Sequence, residues 1–174
     1  MSVIWDLAPH DFSILFSWIG EEPKTITATG GTFVQDGIPD VAFITTKFES
    51  GIVAHIEVSW LAPSKLRRTT VVGSKKMVVY DDTESIEKVK VFDRGVQYKD
   101  PETFGEFQLS YRTGDILIPK LDQFEPLALE ATEFLTSIQN GTAPLSDGRS
   151  GLRVVKALQA AQESLDNGGA PVHL

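Results

Sequence analysis

The chain has 174 residues, a net charge of −8, 41% hydrophobic and 23% charged residues, and no cysteine. That length suits one domain with a sizeable core, and the acidic balance argues against a general nucleic-acid-binding surface. Without cysteine, thiolate nucleophiles, disulfides and cysteine-ligated metals are all excluded.

Residues 8–19 read as a helix, because Phe12, Leu15, Phe16 and Ile19 follow the i, i+3, i+4, i+7 spacing of a buried stripe. Pro9 suits its first turn and Gly20 its stop, which leaves Asp6 just before the helix and His10 inside its first turn. The period then changes. Thr25–Thr32 reads as a strand, and Val41–Glu49 and Ile52–Trp60 flank a hairpin turn at Ser50-Gly51. In the second arm Ile52, Ala54, Ile56, Val58 and Trp60 alternate with Val53, His55, Glu57 and Ser59, giving one apolar and one polar face. Leu66–Val72 and Met77–Asp81 form a second expected hairpin, and Ile86–Asp93 a further strand. Phe104–Tyr111 reads as a strand, with Arg112-Thr113-Gly114-Asp115 as a turn or loop after it. Two helices close the chain. Pro126 opens the first, with a stripe of Leu127, Ala131, Phe134, Leu135 and Ile138. The second is capped by Asp147 or Ser150, has Leu152, Val155, Leu158, Ala161 and Leu165 as its inward face, and ends at Gly168-Gly169. Helix, strands, then helices predict an α+β fold, with an open, mostly antiparallel sheet and helices packed on one face.

No strand leads into GxGxxG or GxxxxGK[ST], so neither standard nucleotide cradle is encoded. No apolar stretch approaches the ~20 residues that span a bilayer, and no secretory leader opens the chain, so a cytoplasmic protein without membrane contact is expected. The three histidines are scattered and have no metal-ligand spacing, so no metal is expected. His55 is explained by a sheet-face position. Lys65, Arg67 and Arg68 read as a charged strand edge, with phosphate contact as the alternative.

Asp6 and His10 are the most informative pair. Residues at i and i+4 share a helical face, so Asp6 is placed to orient an imidazole that handles a proton near neutral pH. The competing reading makes Asp6 a helix cap and His10 a surface residue. Tyr111, Arg112 and Asp115 form a second cluster, in which the arginine fork suits a phosphate or a sugar hydroxyl pair, or else pairs with Asp115.

The run Trp5-Asp6-Leu7-Ala8-Pro9-His10-Asp11 leading into an amphipathic helix resembles the start of the C-terminal domain of the Gfo/Idh/MocA oxidoreductases. The resemblance continues through Phe48-Glu49-Ser50-Gly51-Ile52-Val53-Ala54 and Val71-Val72-Gly73-Ser74-Lys75. Ser110-Tyr111-Arg112-Thr113-Gly114-Asp115-Ile116, with Pro119, Glu125-Pro126-Leu127 and Glu130, is similar to members acting on nucleotide sugars. The stretch from Pro144 to Val172 keeps the likeness to the end.

The resemblance implies an α+β domain that binds a sugar or nucleotide sugar, oxidised at a secondary alcohol with hydride passing to NAD or NADP. It implies catalytic roles for Asp6 and His10 and substrate binding by Tyr111 and Arg112. It implies a homodimer or larger assembly through the open sheet face, where Trp60 and its aliphatic neighbours are expected to lie. The family's Rossmann half, with its Glu-Lys-Pro lysine, has no counterpart in these residues. Residues 1–174 are therefore expected to be a single substrate-binding and oligomerisation domain, either isolated deliberately or a shortened gene product, that binds no dinucleotide alone. The alternatives are a stand-alone, non-catalytic scaffold or ligand-binding domain, and a domain completed by a separate Rossmann chain.

Overall fold

A computed structural model describes residues 1–98, 109–122 and 124–174. They form two compact units, one of residues 1–62 with 126–174 and one of residues 63–125.

The first unit opens with α1 (Val3–Ile19), followed by the strands β1 (Pro23–Gly31), β2 (Val41–Phe48) and β3 (Val53–Ser59). After α2 (Pro126–Asn140) and α3 (Gly148–Asp166), the short β8 (Val172–His173) completes it. The strands make one antiparallel sheet in the order β3-β2-β1-β8. Alternation assigns Ile26, Ala28, Ala42, Ile44, Phe48, Ile56 and Val58 to one face, where they are buried with Val3, Ile4, Ala8, Phe12 and Phe16 of α1 and Ala157, Leu158 and Ala161 of α3. Full burial of a side chain such as Phe12 or Ile44 stabilises by about 1.5–3 kcal/mol, so this cluster holds the first unit together.

Helix α1 begins at Val3, five residues before the expected start, which moves Asp6 from ahead of the helix into its first turn. The physical reason is that Ile4, Ala8, Phe12 and Phe16 form a single i, i+4 ladder reaching the core, and that ladder starts before Pro9. Pro9 is therefore an internal helical residue, whose missing N–H leaves the Trp5 carbonyl without its usual donor. Ser2 at the N-cap does not cap with its side chain; its hydroxyl instead donates to Gln162 Oε1 of α3 at 2.6 Å. Gly20, at φ 73°, turns the chain out of the helix.

The aliphatic face of β3 is the covered one, since Ile56 and Val58 lie under α1, so it is not the open face on which self-association was expected. The open face carries Thr25, Thr27, Phe43, Thr45, Val53, His55 and Glu57. On α3 the inward face is rotated from the expected one: Ala157, Leu158, Ala160, Ala161 and Ser164 are buried, while Leu152 and Val155 are exposed. On α2 the bounds are as expected, but Leu127, Phe134, Leu135 and Ile138 all face solvent and Ser137 is the buried residue.

The second unit is a separate antiparallel sheet of β4 (Arg68–Val72), β5 (Met77–Asp81), β6 (Val89–Tyr98) and β7 (Leu109–Leu117), in sequence order. The expected single open sheet is thus divided between two, while the α+β class and the antiparallel pairing hold. Residues 112–115, expected as a turn, lie inside β7 opposite β6. The expected strand Phe104–Tyr111 falls largely outside the described residues. The register shifts between Phe92 and Arg94, so Asp93 sits at a bulge. Among those of its residues whose side chains are described, none is buried.

Candidate active site

Asp6 and His10 both lie on exposed parts of α1, one turn and about 6 Å of helix rise apart. Asp6 Oδ2 accepts the indole N–H of Trp60 at 2.8 Å. Trp60 directly follows β3 and is 42% exposed, so its ring edge, not its whole surface, is committed to α1. Among the described residues no hydrogen bond or ion pair joins Asp6 to His10. The helix thus places a carboxylate and an imidazole on one side without locking them together, and both are exposed.

Two backbone hydrogen bonds fix this corner. Val3 N–H donates to the Pro39 carbonyl at 2.9 Å, and Trp60 N–H donates to the Asp40 carbonyl at 3.0 Å. Asp40 is only 3% exposed, and its Oδ2 accepts from Phe33 N at 2.7 Å and Val34 N at 2.8 Å, closing the loop between β1 and β2.

Tyr111 and Arg112 belong to β7 of the second unit. The Tyr111 backbone pairs with Val96, and its side chain lies outside the described set. Arg112 does not pair with Asp115. Its Nη2 contacts Asp93 Oδ1 at 2.7 Å and donates to the Lys75 carbonyl at 2.5 Å. Gly114 makes that arrangement possible, because a Cβ there would collide with the Asp93 carboxylate. One end of the arginine fork is therefore already used within the sheet, and its buried Nε has no partner.

Elsewhere, Arg67 pairs with Asp82 at 3.5 Å, and β4, which contains Arg68, forms an edge of its sheet as the basic run suggested. His55 lies on the open face of the first sheet, stacked on Phe43 and hydrogen-bonded through Nδ1 to Thr45 Oγ1 at 3.1 Å. Among the described residues no cluster of three His, Asp or Glu side chains is placed to hold a metal. No helix there is long and apolar enough to cross a membrane. Every strand pair is antiparallel, so the described residues contain no parallel βαβ crevice that fits a dinucleotide.

The family description "GFO/IDH/MocA C-terminal domain" matches residues 1–79, which include the whole Asp6–His10–Trp60 corner. The fold is that of a Gfo/Idh/MocA C-terminal domain. Solved structures agree: UDP-N-acetylglucosamine 3-dehydrogenase from Acidithiobacillus ferrooxidans superposes with a TM-score of 0.76 at 22% identity, covering 97% of this chain and 48% of that one. The aldose-aldose oxidoreductase of Caulobacter crescentus, complexed with glycerol, gives 0.69 at 18% identity over 95% of this chain and 45% of its own. The WlbA dehydrogenase of Bordetella pertussis, in complex with NADH and UDP-GlcNAcA, gives 0.63 at 18% identity over 96% and 43%. The chain therefore spans about half the length of these Gfo/Idh/MocA-type structures. Comparison with curated proteins yields no match.

Trp60 is the site residue that sequence reasoning missed. Alternation put it on the face of β3 shared with Ile56 and Val58, which is the face α1 covers, so the signal for a contact with α1 was present. Asp93 was missed for a different reason: its approach to Arg112 depends on a bulge and a pairing that no local pattern announces.

Proposed function

We propose that residues 1–174 are the substrate-binding and oligomerisation domain of an NAD(P)-dependent oxidoreductase acting on a sugar or nucleotide sugar at a secondary alcohol. The observation that carries the reading is the Asp6–His10 pair on one side of α1, with Asp6 held by Trp60, within a Gfo/Idh/MocA-type fold. His10 accepts the hydroxyl proton as the carbonyl forms, and Asp6 orients the imidazole. NAD or NADP would supply the hydride acceptor. A structural neighbour named for UDP-N-acetylglucosamine and another in complex with UDP-GlcNAcA support a nucleotide sugar as the ligand class. Tyr111 and Arg112 are proposed substrate contacts, Arg112 through the part of its fork not spent on Asp93 and Lys75. Self-association is proposed through the open face of the first sheet, around Phe43, Val53 and His55.

Calorimetric titration of the chain with UDP-N-acetylglucosamine tests the reading, with NADH as the expected non-binder. Saturable sugar-nucleotide binding that weakens in Arg112→Ala supports it. Tight NADH binding overturns it, and so, in favour of a scaffold, does a lack of binding of UDP-N-acetylglucosamine and of other UDP- and GDP-sugars.

A further inference from the structure

We propose that Trp60 is a positioning residue for Asp6: its indole N–H fixes one carboxylate oxygen and leaves the other free for the proton-handling partner. The inference rests on reading Asp6 and His10 as that proton-handling pair. An aspartate on an exposed helix face ordinarily samples several rotamers, and each one not suited to His10 dilutes its effect. Here Oδ2 is taken by a donor 54 positions away in sequence at 2.8 Å, whereas Oδ1 makes no hydrogen bond to any described residue. Indole offers a single N–H on a rigid ring with two side-chain torsions, so the direction of its bond is set by where the backbone of Trp60 is held.

That backbone is held to the same place as the helix it clamps. Trp60 N–H is bonded to the carbonyl of Asp40, and Val3 N–H to the carbonyl of the adjacent Pro39. Residues 3–6, the 39–40 pair and Trp60 thus close a ring of hydrogen bonds, with the indole–carboxylate contact as its last link. The 39–40 pair is itself immobilised, because buried Asp40 is tied to Gly31 through its N–H and to Phe33 and Val34 through its carboxylate. Such a closed support is what a preorganised group requires, and a carboxylate in the first turn of a helix is further favoured by the backbone N–H groups around it. Trp60 touches neither substrate nor cofactor in this scheme; it acts through Asp6.

The experiment uses the chain itself, labelled with nitrogen-15. The three tryptophans give indole cross-peaks, and Trp60→Phe assigns the relevant one. Its N–H is expected to exchange with water about tenfold more slowly than in Asp6→Ala, while Asp6→Asn, which keeps an acceptor oxygen, retains most of the protection. The His10 ring signals are expected to move in Asp6→Ala and to move in the same direction in Trp60→Phe. An indole exchange rate indifferent to Asp6→Ala overturns the proposal. So does a Trp60→Phe protein whose melting temperature falls while its His10 signals stay put, since that is the behaviour of a purely structural residue. Parallel titration with UDP-N-acetylglucosamine separates this proposal from the functional reading. Lost sugar binding with the spectroscopic results as expected sinks the nucleotide-sugar assignment and upholds the clamp. Intact binding with His10 signals indifferent to Trp60→Phe sinks the clamp alone.

Discussion

Ser164 of α3 accepts the backbone N–H of Ala28 of β1 at 2.8 Å, across 136 positions of sequence. The same hydroxyl donates to the Ala170 carbonyl at 2.6 Å, so one fully buried side chain joins the end of α3, the central strand β1 and the turn leading to β8. Ser164→Ala would leave the Ala28 N–H unsatisfied in the core. It is expected to destabilise the first unit by about 1–3 kcal/mol, read as a lower denaturant midpoint with an unchanged slope.

His10→Ala, in a protein where this domain is accompanied by its dinucleotide-binding partner, is expected to lower turnover by about 10²–10⁴-fold. The side chain is exposed and outside the core, so the circular dichroism spectrum and melting temperature should stay at wild-type values. Turnover within a few-fold of wild type would remove His10 from the mechanism.

Arg112→Lys is expected to weaken the second sheet even though it keeps the charge. The shorter lysine side chain does not carry a donor to the Nη2 position from which Arg112 reaches both Asp93 and the Lys75 carbonyl. Faster amide exchange in β6 and β7, with β1–β3 unaffected, is the expected pattern. Gly114→Ala should produce a similar pattern by pushing out the Asp93 carboxylate.

Asp82 gives the second sheet a defined acid response. The Tyr80 hydroxyl and then the Lys88 ammonium, by hydrogen bonding, hold its carboxyl below the ordinary carboxylate range. Its folded-state value is lowered, so the stability it confers is present above the unfolded value of about 4 and is lost as pH falls through the lower folded value. Asp82→Asn should flatten the acid limb of unfolding followed by Tyr80 fluorescence and leave the neutral-pH plateau slightly lower. An acid limb identical to wild type would refute the assignment.

Phe43→Lys tests self-association. Phe43 is 40% exposed on the open sheet face and stacks on His55, so a lysine there places charge in the proposed contact. Light scattering should report a smaller species than wild type at equal concentration. A wild-type chain that remains monomeric at high concentration would defeat the contact itself.

Much of this architecture was legible from pattern alone. The hairpin at Ser50-Gly51 was readable because a glycine at φ 87° supplies the turn between two alternating strands, and β5 matches its expected bounds because Gly73–Lys76 punctuates it. The Asp147 cap of α3 was one of two expected candidates, and its side chain accepts from Ser150 N. What escaped depends on distant partners. The true start of α1 is set by Ile4 reaching the core, and the exposure of Leu127 and Phe134 on α2 breaks the usual link between an apolar stripe and burial. Of the candidate site, the Asp6–His10 spacing was visible in seven consecutive residues, whereas the Trp60 bond depends on the fold of the whole β1–β3 sheet.

The second sheet has ladder hydrogen bonds, but among those of its residues whose side chains are described none is buried, and that gives the two units different stabilities. With little apolar surface to lose, β4–β7 should open at a small fraction of the cost of opening β1–β3. Proteases would find the chain there first, and a trimmed product retaining Phe12, Ile26 and Ile44 in their core should survive long after that sheet has been nicked.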